Sequence, residues 1–397
     1  MNPNITTLYQ IANKPDRLII GLMSGTSLDG LDVALCKCLG VGTDTQITIL
    51  AFETLPYTDA FKADIKSIFS KKNVDLEKLC LLNEYIGILH GQMVNRCLAK
   101  WGYAHTDIDV IASHGQTIYH APKSFHGLAN YGNGTLQIGD GDHLAVTTGI
   151  ITISDFRQKH IAAGGEGAPL ALYGDYLLFS KTGEDRIMLN IGGISNATFL
   201  PGNLNANLVI CTDIGPGNTM MDNYIQLYFP DKYYDADAAI AMQGTVNNDL
   251  LQALQAHPFF TADFPKTTGP ELFNIAYLEA AKQHAGITSI SHVDVMATLN
   301  RFSAEAIVAA LQQMIKNDNN TSIFVSGGGM HNPLLLQYIQ LQLPNITIKN
   351  TLDLGIHPDA KEAVLFTLLA NETLCGGNTF FGNNAPSVSM GKISFPK

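Results

Sequence analysis

Six cysteines (Cys36, Cys38, Cys80, Cys97, Cys211 and Cys375) are scattered through the chain with no C-x-x-C spacing among them. That excludes a structural zinc site or a thioredoxin-type pair, and their mostly apolar neighbours suit reduced thiols that simply pack. Positive charge is scarce as well: 24 Lys and Arg face 35 Asp and Glu, a formal net charge of -11. A duplex nucleic acid needs a basic face, so it is not an expected partner, whereas a small anion can still be met by backbone amides. No apolar run reaches the length of a membrane span, and residues 1–16 lack the basic-then-apolar order of a secretory signal. These absences lead to the expectation of a soluble protein, without a membrane partner, in a reducing, cytoplasmic compartment. There is also no low-complexity segment or Pro/Ser-rich linker, so the domains that 397 residues allow are expected to pack tightly.

The common phosphate-binding strings are missing too. G-x-x-x-x-G-K-[ST] is absent, and neither a G-x-G-x-x-G after a strand nor the H-R-D and D-F-G pair of protein kinases occurs. What the chain has instead is a glycine hairpin. Leu18-Ile19-Ile20-Gly21-Leu22-Met23 reads as a strand, Ser24-Gly25-Thr26-Ser27-Leu28-Asp29-Gly30 as a turn, and Leu31-Asp32-Val33-Ala34-Leu35 as the returning strand. Small residues let N–H groups approach a phosphate, and hydroxyls add donors. Asp29 stands where a phosphate-bound Mg2+ would be held, through water. A turn that only reverses the chain is the competing reading.

Strands and helices then alternate. Ile47 to Leu55, Asp109 to Ser113 and Ile150 to Ser154 read as strands, Asp59 to Ser70 and Leu76 to Trp101 as helices, and another helix starts near Ala168-Pro169 and runs to Phe179. Arg186 to Leu200 repeats the opening design around Gly192-Gly193, which suggests a structural duplication whose two hairpins grip one polyphosphate. Asn207 to Thr212 reads as a strand ending at Asp213 before the rigid Gly215-Pro216-Gly217. Further on, Ser322 to Ser326 runs into Gly327-Gly328-Gly329, where backbone can lie close to a flat ring or a sugar. Helices follow at Pro333 to Leu343 and at Asp359 to Cys375, the latter with Glu362 on its first turn.

Seven segments in order carry a resemblance: Gly21 to Asp32, Ser113-His114-Gly115-Gln116-Thr117, Asp155-Phe156-Arg157, Ala163 to Leu170, Asn190 to Asn196, Asp213 to Asn218, and Val325 to Gly329. Together they resemble the anhydro-N-acetylmuramic acid kinase family, over roughly Leu18 to Pro396. Glu166, Ser195 and Ile214 depart from that pattern, where Gln, Ala and Thr are usual, as does Pro270, where Arg is usual. Residues 1–16 read as an added extension. The resemblance implies an α/β, two-lobed actin-like ATPase (ribonuclease H-like) fold, each lobe a mixed sheet flanked by helices. The N-terminal lobe is expected over 1–184, with the phosphate hairpin and much of the sugar site, and with 376–397 packing back on it. The C-terminal lobe is expected over 185–375, with the second phosphate loop, the catalytic Asp and the adenosine site.

The resemblance further implies a homodimer and a reaction with ATP and Mg2+ in murein recycling. Water opens the 1,6-anhydro ring of 1,6-anhydro-N-acetylmuramic acid and O6 is phosphorylated. A kinase for a neutral anhydro-sugar such as levoglucosan, and a non-sugar ATPase of the same superfamily, are the alternatives. The chemistry needs a base for the water, and Asp213 is nominated; a cap on the following helix is its plainer reading. Glu362 is the second catalytic candidate, beside Asp213, with a helix-dipole role as its alternative. Arg157 offers a planar fork to the lactyl carboxylate, or to Asp155. His114 and Gln116 are expected on sugar hydroxyls or the acetamido group, a satisfied structural His being the alternative. Gly25, Thr26, Ser27, Leu28, Asp29, Gly30, Leu31 and Asp32 are assigned to the β- and γ-phosphates, with Asp29 on the metal. Gly192 and Gly193 form the opposing loop, and Gly327, Gly328 and Gly329 take the adenosine end.

Overall fold

The computed structural model describes residues 2–168, 170–316, 320–376 and 385–397, so Pro169, expected in a helical first turn, lies outside the described residues. The chain divides into two compact units, unit 1 being Met1–Leu178 with Gly355–Lys397 and unit 2 Phe179–Leu354.

Unit 1 opens with helix α1 (Pro3–Ala12), followed by strands β1 (Asp16–Ser24), β2 (Gly30–Leu39) and β3 (Gln46–Pro56). Helices α2 (Asp59–Ile68) and α3 (Leu76–Trp101) cross to β4 (Val110–Ala121). Then come α4 (Lys123–His126), β5 (Gly134–Ile138), α5 (Gly141–Thr148), β6 (Thr152–Ser154), α6 (Phe156–Ala162) and α7 (Ala171–Phe179). Unit 2 holds β7 (Asp185–Ile191), β8 (Ile194–Leu200), β9 (Ile210–Pro216), α8 (Thr219–Tyr228), α9 (Asn248–Gln255), α10 (Ile275–His284), α11 (His292–Met314), β10 (Thr321–Ser326), α12 (Pro333–Gln342) and β11 (Thr347–Asn350). The chain returns to unit 1 with α13 (Lys361–Cys375) and β12 (Lys392–Ser394).

The sheets repeat one plan. Unit 1 has the order β12-β6-β4-β1-β2-β3 with β5 beside β4, and unit 2 has β11-β10-β7-β8-β9. In each, three consecutive antiparallel strands are extended by parallel strands laid beside the first. This is the duplicated ribonuclease H-like arrangement, and it explains why both openings read as hairpins. β2 is apolar almost without break because sheet neighbours cover both of its edges and packing covers its faces. α3 begins where Asp75 accepts the Lys78 N–H and ends at Gly102 in the left-handed region. The core of unit 1 joins Leu22, Leu31, Val33 and Ile111 to Ile65, Ile86 and Val94 of the crossover helices. Unit 2 buries Ile187, Leu189 and Ile323 against Ile307, Leu311 and Leu335.

Two expectations about organisation are corrected. The division falls after Leu178 rather than after 184, and residues 355–375 belong to unit 1 instead of the second lobe. The physical reason is α13, whose buried Ala363, Val364, Phe366 and Leu368 pack on β1, β2 and β4. β12 pairs with β6 in the same unit. The segment before Asp16 folds as α1, started by Asn2 and Pro3, and Asn4 Nδ2 donates to the Pro396 carbonyl. Arg17, buried at its base, donates to Asn371 Oδ1 at 2.8 Å. All six cysteines are free. No helix among the described residues is long and apolar enough to cross a membrane.

Candidate active site

In unit 1 the β1–β2 turn carries Thr26, Ser27 and Asp29 exposed, while Leu28 between them is buried in the core at φ 61°. A leucine in the left-handed region is strained, and its buried side chain supplies the anchor that holds it there. Asp32, two residues into β2, accepts from Thr54 Oγ1 at 2.5 Å. Burial first, then the charges of Asp359 and Asp29, raise its acid above the ordinary carboxylate value. The hairpin therefore displays exposed donors beside uncompensated negative charge, a donor set that fits a hydrated divalent cation taking its other ligands from water and phosphate.

The segment Ser113–Thr117 is a bulge in β4. β1 pairs Leu22 with Ser113 but Ser24 with Gln116, and the added residue is absorbed at Gly115, φ 72°. A side chain at Gly115 would also strike the Ile138 carbonyl, its Cβ lying 2.6 Å from that oxygen. The bulge points Gln116 at Ser24, whose Oγ donates to Gln116 Oε1 at 2.5 Å. Gln116 Nε2 makes longer contacts with the carbonyls of Gly25 and Thr117, at 3.4 and 3.3 Å. With 0% exposure and all its polar atoms engaged, Gln116 ties the turn to β4.

His114 is likewise 4% exposed and fully engaged. Its Nδ1–H donates to the Gly115 carbonyl at 2.9 Å, and its Nε2 accepts from Arg157 Nε at 3.0 Å. Burial, helped by the Arg157 charge, pushes its acid down to about 3, so the ring stays neutral. His114 thus supports Arg157, with both ring nitrogens engaged inside the protein. Arg157 Nη1 donates to the Gly167 carbonyl at 2.7 Å, and among the described residues nothing hydrogen-bonds its Nη2. The expected alternative partner, Asp155, is taken by Lys392 at 2.5 Å. That partner was missed because it comes from the far end of the chain. Asp155 itself sits at φ 58° and turns the chain from β6 into α6, which carries Arg157. Around this guanidinium, His160 is pushed down to about 4 and His120 is lowered, in each case by burial first and Arg157 second. Three imidazoles thus stay neutral around this cation, and the charge that acts on it is that of Glu362.

Glu362 on the first turn of α13 belongs to the same unit. Burial and then Asp32 raise its acid, opposed by Arg157 and Lys361.

Asp213 belongs to unit 2, on β9 opposite Asn196 of β8. It caps no helix: α8 starts at Asn218, without a side-chain cap. Instead β9 is zipped to an irregular strap. Asp213 N–H donates to the Lys266 carbonyl at 3.0 Å, and Lys266 N–H donates to Thr212 Oγ1 at 2.9 Å. Asp213 Oδ2 accepts from the Thr268 N–H at 2.9 Å, and among the described residues nothing hydrogen-bonds Oδ1. Burial, and less strongly Glu271, raise its acid above the ordinary value against that bond. Thr268 as the orienting group escaped the sequence reading, since only the fold brings it to β9; its own Oγ1 is buried without a partner.

The glycine segments of unit 2 meet at one end of its sheet. The carbonyls of Gly192 and Gly193 accept from the N–H groups of Asn218 and Gly217, both at 2.9 Å, which ties the β7–β8 turn to the start of α8. Gly327 at φ 82° lies over β7 so closely that a Cβ would sit 2.6 Å from Asn190 Oδ1. Gly25 to Asp32, Arg157, His114, Gln116 and Glu362 are thus grouped in unit 1, and Gly192, Gly193, Asp213 and Gly327 to Gly329 in unit 2.

Each unit thus carries a mixed sheet with glycine turns at its strand ends, Arg157 held by His114 and Gly167 in unit 1 and the half-buried Asp213 held by Thr268 in unit 2. A sequence profile of the anhydro-N-acetylmuramic acid kinase family matches residues 17–391. The chain belongs to that family. The anhydro-N-acetylmuramic acid kinase of Pseudoalteromonas atlantica is 59% identical over 400 residues, covering 100% of both chains. That of Caldanaerobacter subterraneus is 39% identical over 98% of this chain and 99% of its own. Among solved structures, a ROK family glucokinase from Streptomyces griseus in complex with glucose and AMPPNP aligns at 12% identity with TM-score 0.33, over 88% of this chain and 98% of that one.

Proposed function

We propose that this kinase opens the 1,6-anhydro ring of 1,6-anhydro-N-acetylmuramic acid with water and transfers the γ-phosphoryl group of ATP to O6. The product is N-acetylmuramic acid 6-phosphate, as required in murein recycling. The observation that carries the substrate is Arg157, held by His114 and Gly167 with one guanidinium edge unengaged among the described residues, a fit for the lactyl carboxylate.

Asp213 takes a proton from water as the water oxygen bonds to C1. The C1–O6 bond breaks with its electron pair left on O6, which attacks the γ-phosphorus and expels ADP. Each atom is accounted for by the sugar, ATP and one water. Burial makes Asp213 a stronger base than a solvated carboxylate, and the Thr268 N–H fixes one of its oxygens while the other is left for the water. Glu362 helps orient the sugar. The turn from Gly25 to Asp32 and the Gly192-Gly193 turn hold the phosphates, and Gly327 to Gly329 the adenosine. Mg2+, when bound, neutralises charge on the phosphates; Asp29, with Asp32 behind it, would hold it. A cytoplasmic homodimer belongs to this reading on the strength of the family resemblance.

Incubation with ATP, Mg2+ and the anhydro-sugar is expected to yield the 6-phosphate with one water added. Product from levoglucosan alone, or ATP turnover indifferent to either sugar, contradicts the reading.

A further inference from the structure

Behind the phosphate turn runs a buried chain of hydrogen bonds that the reaction does not use. His90 of α3 lies 2.9 Å from the Tyr57 hydroxyl through Nε2, and the Tyr57 hydroxyl lies 2.8 Å from Ser24 Oγ, which reaches Gln116 Oε1 at 2.5 Å. Its direction is forced from the far end. The Gln116 oxygen only accepts, so Ser24 donates to it; Tyr57 therefore donates to Ser24, and His90 Nε2–H donates to Tyr57. All four side chains are buried. Burial pushes the His90 acid down to about 3, which keeps the neutral, donating ring across the working pH range.

Tyr57 also touches the other end of the turn, its N–H meeting the Asp29 carbonyl at 3.3 Å. One residue thus spans the first and last positions of a turn whose middle is pinned by buried Leu28. The Tyr57 ring is wedged against Phe61, centroids 4.4 Å apart, and cannot swing away without disturbing the core.

We infer that Tyr57 and His90 are positioning residues for ATP, a relay that holds the β1–β2 turn in its phosphate-accepting form through Ser24 and Gln116. The inference rests on the reading of that turn as the phosphate site. Loosening the relay lowers the fraction of competent turns, so the apparent ATP affinity falls while the sugar contacts of Arg157 do not change.

The test is steady-state kinetics of the full-length enzyme, varying ATP and anhydro-sugar separately, with thermal midpoints recorded. Tyr57→Phe and His90→Leu are expected to raise the KM for ATP roughly fivefold to tenfold, the loss of one buried hydrogen bond, and to leave the KM for sugar within about twofold. His90→Gln, which keeps an N–H donor at the same reach, is expected to stay within about twofold of the parent for both. A parental ATP KM in Tyr57→Phe, an equal rise for both substrates, or a His90→Gln enzyme as impaired as His90→Leu overturns the inference. Asp29→Asn separates the two layers. If it raises the ATP KM while Tyr57→Phe does not, only the relay fails; a parental ATP KM in Asp29→Asn removes the phosphate reading and the relay with it.

Discussion

Replacing Asp213 by Asn is expected to lower kcat by about 10³-fold while the dissociation constant for ATP stays at its parental value. The amide oxygen of Asn can still accept the Thr268 N–H that now holds Oδ2 at 2.9 Å, so the strap from Lys266 to Thr268 stays docked and the fold is retained. What is lost is proton acceptance, which matters only as water attacks C1, so the defect appears in kcat rather than in nucleotide binding. The parental enzyme is expected to carry a pH signature of the same group. In the proposed role Asp213 works deprotonated and its acid is raised above the ordinary Asp value, so kcat/KM is expected to fall as pH drops through that raised pKa. That acidic limb is expected to be absent from the residual activity of Asp213→Asn. Pre-steady-state kinetics with a nucleotide-binding titration checks both parts; a variant with near-parental kcat would make Asp213 a structural residue.

Arg157→Lys is expected to raise the KM for the anhydro-sugar roughly 10- to 100-fold, the range for losing a charge-assisted hydrogen bond, at little cost to the KM for ATP. A lysine keeps the charge but cannot donate to His114 Nε2 and the Gly167 carbonyl while presenting a further edge to the ligand. The control is 1,6-anhydro-N-acetylglucosamine, which lacks the lactyl carboxylate. Its inhibition constant as a competitor of the anhydro-sugar is expected to be equal in the parent and the variant. An equal loss for both ligands would mean that Arg157 only shapes the loop around Gly167.

Much of this arrangement is legible from residues alone, and the limits have physical causes. The apolar run through β2, broken only by Asp32 and Lys37, and the length of α3 can be read because burial pattern and capping agree at those places. The two glycine hairpins are visible because duplicated sheets start alike. Roles of side chains at the strand ends are harder. Ser113 to Thr117 is recognisable as a site, but whether His114 and Gln116 face a ligand or the protein depends on the bulge at Gly115 and on Ser24 and Arg157, which come from other strands and helices. Asp155 is paired from 237 residues away. Glu362 sits with Arg157 and Asp32, not in the unit of Asp213, because α13 returns to the first sheet after all of unit 2 has been completed.

Isotope placement tests the central claim most directly. The enzyme is run with ATP and 1,6-anhydro-N-acetylmuramic acid in 18O-water, and the product is analysed before C1 exchanges through its open-chain aldehyde. Attack of an Asp213-activated water on C1 predicts one heavy oxygen on C1 and none in the phosphate. Label in the phosphoryl group, or a product with unlabelled C1, would show that water attacks phosphorus or takes no part, and would contradict the account.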